Sequence, residues 1–144
     1  MDLYIDADGC PVVDLALRLA SAVGVRCFIV CDTSHHIYRP EAETIVVSKG
    51  ADSVDFAIVN RVTQGDIIVT QDYGLAAMAL ARGATVITQN GLVINQDNVD
   101  ALLASRHLSQ KLRRSRVRMR GPSKRTSKED QQFVLNFKKL LDSQ

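Results

Sequence analysis

The sequence predicts an α/β fold: a mainly parallel central sheet with helices on both faces. Three features predict it. Short branched and apolar runs, Leu3-Tyr4-Ile5, Val25 to Cys31, Thr44 to Ser48, Ile67-Ile68-Val69-Thr70 and Thr85 to Thr88, recur with mostly helix-length segments between them, the alternation expected of right-handed βαβ units. The runs are apolar at successive positions, as strands buried on both faces are. Aspartates close several of them, Asp6 with Asp8, Asp32 and Asp72, and the carboxyl ends of parallel strands are where such sheets bind ligands.

In chain order, the first strand runs into Asp6-Ala7-Asp8-Gly9-Cys10-Pro11. Side chains alternate along an extended chain, so Asp6 and Asp8 project to one side, where their like charges need compensation. Pro11 suits a first helical turn, Val12 to Ala20 has the apolar spacing of a helix on a sheet, and Gly24 follows its end. After the second strand, the polar stretch from Asp32 to Pro40, with Ser34, His35 and His36, reads as a loop. A short third strand leads to Gly50-Ala51-Asp52-Ser53-Val54-Asp55, which opens a helix through Val62 with Val54, Ala57, Ile58 and Val62 on its apolar face. Gly65-Asp66 turns the chain into the fourth strand, followed by Gln71-Asp72-Tyr73-Gly74 and an alanine-rich helix from Leu75 to Arg82. Gly83 stops that helix, and after the fifth strand Asn90-Gly91 signals a turn before Leu92-Val93-Ile94.

Asp97 is expected to cap a helix running to about His107. Residues 109–128 lose apolar periodicity and contain Gly121-Pro122, so they read as a basic arm or loop. Ser127 with Asp130 resembles a capping arrangement for a final helix over residues 128–142. Its stripe of Phe133, Val134, Phe137, Leu140 and Leu141 should dock on the main body or on a second copy of the chain. With 144 residues, 46% of them hydrophobic, the chain is expected to form a single domain over 1–144.

Charge is divided along the chain. Residues 1–100 carry 13 acids and 6 bases, net −7, whereas residues 101–144 carry 3 acids and 12 bases, net +9. Ten bases and no acid lie between Arg106 and Lys128, the footprint of a partner rich in phosphate such as nucleic acid. Arg113, Arg114, Arg116, Arg118, Arg120, Lys124 and Arg125 are the candidate contacts. The run lacks interleaved aromatics, so it should grip the backbone with strong salt dependence and little sequence preference.

No basic segment followed by an apolar one opens the sequence, and no apolar run approaches the roughly 20 residues that span a bilayer. A cytoplasmic location and no membrane partner are therefore expected. Cys10, Cys27 and Cys31 do not resemble a disulfide framework. Within one strand Cys27 and Cys31 would stand roughly 13 Å apart, too far to share a metal.

Clustered carboxylates without cysteine or histidine at metal-binding spacing suit a hard ion, magnesium or manganese, rather than zinc. Phosphodiester hydrolysis follows as a reaction class. Asp6 is the strongest candidate, because an acid within an apolar strand is costly unless paired. The structural alternatives are helix caps: Asp8 for the helix after Pro11, Asp52 and Asp55 as an N-cap pair, and Asp72 for the helix that follows it. Asp32, Ser34, His35 and Asp52 form a second rank, Ser34 and His35 as phosphate contacts or proton-transfer groups. Neither a glycine-rich dinucleotide fingerprint, nor a phosphate-binding loop, nor a nucleophile elbow occurs.

Taken together, Asp6-Ala7-Asp8-Gly9-Cys10-Pro11-Val12, Gly50 to Asp55, Gly65 to Asp72 and Gly121-Pro122 make the chain resemble, over essentially its whole length, the uncharacterised bacterial YaiI/YqxD-like family. That family is similar in turn to PIN-like domains, whose characterised members are metal-dependent ribonucleases. The resemblance implies a PIN-like fold, with Asp6 as the first-strand acid, Asp55 as the central helical acid and Asp72 as the acid of Thr-x-Asp. Many PIN nucleases carry a further acid two residues later, where this chain has Gly74, while Asp8 supplies an additional carboxylate. The expectation is a magnesium- or manganese-dependent phosphodiesterase acting on RNA or another nucleic acid, with Asp6, Asp8, Asp55 and Asp72 around the ion. The rival expectation is a non-catalytic RNA-binding or regulatory protein that keeps the fold.

Overall fold

The computed structural model describes residues 1–49, 53–114 and 124–143. Its elements are β1 (Asp2–Asp6), α1 (Val13–Ala22), β2 (Arg26–Asp32), β3 (Glu43–Val47), α2 (Ser53–Val59), β4 (Ile67–Val69), α3 (Tyr73–Ala81), β5 (Thr85–Ile87), β6 (Val93–Ile94), α4 (Val99–Arg114) and α5 (Ser127–Asp142). The sheet has the order β3-β2-β1-β4-β5-β6, parallel throughout except for the antiparallel β6. The expected α/β architecture is thus the observed one, with β1 at the centre and the strand order reversing between β1 and β4.

Successive burial along β1, β2 and β4 has the cause the sequence suggested: both faces are covered. Leu3, Ile5, Cys27, Ile29, Ile67 and Val69 pack with α1 and with Phe133, Phe137 and Leu141 of α5. Tyr4, Phe28, Val30, Ile68 and Val86 pack on the other side with Ile58, Leu75, Ala76, Ala79 and Val99 of α2, α3 and α4. Alternation then fixes where the strand-end polar residues go. Asp6 follows Tyr4, Asp32 follows Val30 and Thr70 follows Ile68 at two-residue spacing, so all three lie on the side of the sheet where α2 and α3 begin.

Several local expectations are corrected. Asp97 does not cap α4; Asn95 Oδ1 accepts from the amides of Asp97 and Asn98 in a side-chain turn, and the helix starts at Val99. That helix continues through Arg114 rather than ending near His107, so residues 109–114 are helical. Thr126, not Ser127, caps α5 in a reciprocal box with Glu129. Asp130 instead pairs with Arg125 at 2.7 Å. Of the docking choices for the last helix, the main body is used: Phe133 and Phe137 are fully buried, stacked at 5.1 Å, and packed with α1. No helix among the described residues is long and apolar enough to cross a membrane.

Candidate acidic site

Asp6, Asp8, Asp32, Asp55 and Asp72 line one open cleft of about 310 Å³ with Ser53 and Val54. It lies at the carboxyl ends of β1, β2 and β4, beside the reversal of strand order, where βαβ geometry leaves a crevice between helices leaving opposite faces. A smaller cavity of about 40 Å³ adjoins it, lined by Asp6, Asp8, Cys10, Thr70, Gln71 and Gln89 among others. That volume admits a water or a small ion.

Asp6 lies deeper in the cleft than Asp8 or Asp32. Its Oδ2 accepts from the Thr70 hydroxyl at 2.8 Å. Burial pushes its pKa up to about 6, the Thr70 bond opposes this, and the charges of Asp8 and Asp72 add to the rise. No arginine neutralises it among the described residues. Asp66 shows by contrast what a structural carboxylate looks like: it is buried, and its two oxygens accept from the Asp2 amide and from the Thr63 amide and hydroxyl.

Thr70 ties two candidates together, since its hydroxyl also accepts from the Asp72 amide at 3.0 Å. Asp72 realises the structural alternative as well as sitting in the cleft. It is the N-cap of α3, Oδ1 accepting from Gly74 N at 2.9 Å and Leu75 N at 3.1 Å, and the same oxygen accepts from Arg106 Nη1 at 3.2 Å. All three contacts fall on Oδ1. A Cβ on Gly74 would stand only 3.2 Å from that oxygen, so the glycine leaves room for the cap.

Asp8 sits in a turn closed by the Cys10 amide bonding to the Ala7 carbonyl, with Gly9 at φ 67° in the position that glycine tolerates best. It does not cap α1, whose N-cap is Val12 without a side-chain bond. Among the described residues its buried Oδ1 has no hydrogen-bond partner. Burial raises the pKa of Asp8, the charge of Asp32 raises it further, and His35 and the Asp32 amide pull the other way. The His35 Nδ1 lies 3.7 Å from Asp8 Oδ1 and 3.2 Å from Asp32 Oδ1, and Asp8, Asp32 and His35 each bring one ligand atom within 4.8 Å of the others. Asp32 Oδ1 also accepts from the amides of Ser34 and His35. Desolvation works to raise the Asp32 pKa, yet these bonds and the His35 ring hold it below its ordinary value.

Of the remaining candidates, Asp52, Arg116, Arg118 and Arg120 lie outside the described residues, Arg113 and Arg114 occupy the last turn of α4, and Lys124 is exposed. Arg125 bonds Asp130 Oδ1, Asn90 Oδ1 and the Gln89 carbonyl, clamping α5 to the turn before β6. Sequence reasoning missed Arg106 as the partner of a cleft acid, because a cation on a helix more than thirty positions from Asp72 carries no local signal. Thr70 had one, its two-residue spacing to Asp72.

A UPF0178 protein of Exiguobacterium sibiricum is 55% identical over 141 residues, covering 98% of this chain and 96% of the relative. A UPF0178 protein of Clostridium acetobutylicum is 43% identical over 143 residues, covering 98% and 97%. Among solved structures, a mutant of Rae1 (YacP) from Bacillus subtilis aligns over 99% of both chains with 17% identity and a TM-score of 0.47. The model of the uncharacterised YaiI/YqxD family, DUF188, matches residues 4–143, and with relatives this similar over nearly their whole length the chain belongs to that family.

Proposed function

We propose that this protein is a PIN-like phosphodiesterase, dependent on magnesium or manganese, that acts on RNA or another nucleic acid. One observation carries the reading: acids from three strand ends and a helix share one cleft, and Asp6 is half-buried among them beside carboxylates rather than beside a cation. Such an arrangement is unfavourable in isolation and is relieved by a bound cation.

The residues fit a hard ion. Their donors are carboxylate oxygens, Asp8 Oδ1 is buried without a hydrogen-bond donor among the described residues, and the adjoining cavity has room for an ion or a water. Asp6, Asp8, Asp55 and Asp72, which line the cleft together, would hold it. A bound magnesium or manganese ion would polarise the scissile phosphate and raise the acidity of a water. Thr70 keeps Asp6 and the start of α3 in register through its two hydrogen bonds. The Gly74 and Leu75 amides fix the Asp72 carboxylate. His35, exposed at the cleft edge beside Asp8 and Asp32, can exchange a proton with a departing oxygen.

Labelled single-stranded RNA and DNA incubated with the protein in manganese, magnesium or chelator test this directly. Cleavage is expected with the metals only, and Asp72→Asn should lower it by about a hundredfold or more. Asparagine caps a helix as well as aspartate does, so this variant removes charge rather than structure. Cleavage that survives both chelator and substitution would refute the metal mechanism. Binding without cleavage would favour the non-catalytic reading instead.

A further inference from the structure

α4 stands in a particular relation to the cleft. Because β6 is antiparallel, it returns the chain to the amino edge of the sheet, and α4 then climbs back toward the carboxyl edge. Seven residues after Val99, about 10 Å along the axis, Arg106 meets Asp72. The helix runs on to Arg114, about 12 Å further at about 1.5 Å per residue. On this stretch His107, Leu108 and Lys111 are exposed.

Arg106 is held more loosely than the other arginines paired on this molecule. Arg26 meets Asp2 through two nitrogens, at 3.2 and 2.8 Å, and Arg39 meets Asp14 through two, at 2.6 and 3.4 Å. Arg125 is fixed by three acceptors. Among the described residues Arg106 gives a single bond, at 3.2 Å, to an oxygen that two backbone amides already occupy, and its side chain is 47% exposed. Asp72 therefore does not need Arg106 for its cap. A guanidinium has five donors in a planar fork matched to phosphate oxygens, and among the described residues this one commits a single donor, to an acid that lines the cleft.

We propose that Arg106 is a substrate-contacting residue: from beside Asp72 its guanidinium takes a non-bridging phosphate oxygen of a nucleic-acid backbone and directs that backbone along the exposed end of α4. The class of substrate rests on the phosphodiesterase reading; the contact itself does not require cleavage. In the unliganded protein Arg106 sits against Asp72 as an internal counter-ion, and substrate phosphate replaces that carboxylate as its partner.

The test compares the full-length wild type with Arg106→Gln and Arg106→Lys, whose folding is checked by thermal melting. Affinity for a fluorescent single-stranded RNA is measured across a salt series with calcium in place of manganese, manganese affinity by paramagnetic resonance, and cleavage in manganese. Arg106→Gln should weaken RNA binding by about fivefold to twentyfold and reduce the salt slope by about 0.7, the loss of one phosphate contact to a single strand. Arg106→Lys should keep the slope but recover only part of the affinity, lacking the fork. Manganese affinity should stay the same or rise, since a competing positive charge has gone.

A fall in manganese affinity parallel to RNA affinity would overturn the proposal, because Arg106 would then serve only to hold Asp72. So would unchanged RNA binding, or no RNA binding by the wild type. If the wild type cleaves and Arg106→Gln binds and cleaves equally well, the contact is refuted and the phosphodiesterase stands. If RNA binding depends on Arg106 but no cleavage occurs, the contact stands and the phosphodiesterase is refuted.

Discussion

Asp6 holds a charge in a place that resists it. Its pKa, lifted by burial to about 6 from the ordinary 3.8, makes it a stability determinant with a definite sign. Below about pH 4 the carboxyl is protonated in both folded and unfolded chains and imposes no penalty. Between about pH 4 and 6 the unfolded chain ionises first, so the folded state loses stability as pH rises, by up to about 3 kcal/mol in total, and above that the loss is constant. Asp6→Asn should therefore stabilise the metal-free protein at pH 7.5 by about 1–3 kcal/mol and flatten this part of the pH profile. Urea unfolding in chelator across pH 4–8 measures it; a variant that is less stable than wild type at pH 7.5 would mean that Asp6 is a satisfied structural acid like Asp66. The amide can still accept from Thr70, so the comparison isolates charge.

At the scale of elements, the face opposite the cleft carries much of the molecule's cohesion. α5 is fixed by the stacked Phe133 and Phe137 beneath it, by the Arg125 clamp, and by Asn136 Nδ2 bonding the Gly91 carbonyl at 2.6 Å. Gly91 has φ 87°, and a Cβ there would stand 2.6 Å from the Gln132 carbonyl oxygen. Gly91→Ala should cost about 2 kcal/mol or more, combining a left-handed backbone with a backbone clash. Because Gly91 meets α5 and does not line the acidic cleft, manganese affinity of the folded variant should match wild type. Thermal unfolding with metal titration checks both, and a lost metal site in a folded variant would show that α5 and the cleft are coupled. Helix limits in this region were poorly legible in sequence. Ser127 and Thr126 are adjacent hydroxyls, each with an acid three residues on, Asp130 and Glu129, and only the fold, by committing Asp130 to Arg125, decides which one caps.

For the molecule as a whole, the acids of the cleft come from β1, its following turn, β2, α2 and α3, and only the folded chain assembles them. A ligand that binds the folded state alone stabilises it by mass action, about 2.7 kcal/mol at a hundredfold excess over its dissociation constant. Manganese at that excess should raise the melting temperature by about 5–10 °C, and Asp6→Asn should abolish most of the rise. Scanning calorimetry of both proteins with manganese or chelator checks this; an equal rise in the variant would place the ion elsewhere.

What the sequence determined by itself was the sheet and the edge at which its acids gather. Unbroken apolar strands are intelligible only if both faces are covered, and acids after such strands fall at the carboxyl edge whatever the helices do, because the two-residue period and the βαβ connection are local rules. The tertiary structure alone decided which charges meet. Arg106 reaches Asp72 across thirty-four positions, Arg125 clamps α5 to the turn before β6, and Asp8 Oδ1 is left without a donor among the described residues. Such pairings depend on the positions of whole helices, set by the packing of α4 on α3 and of α5 on α1, and no spacing along the chain encodes them.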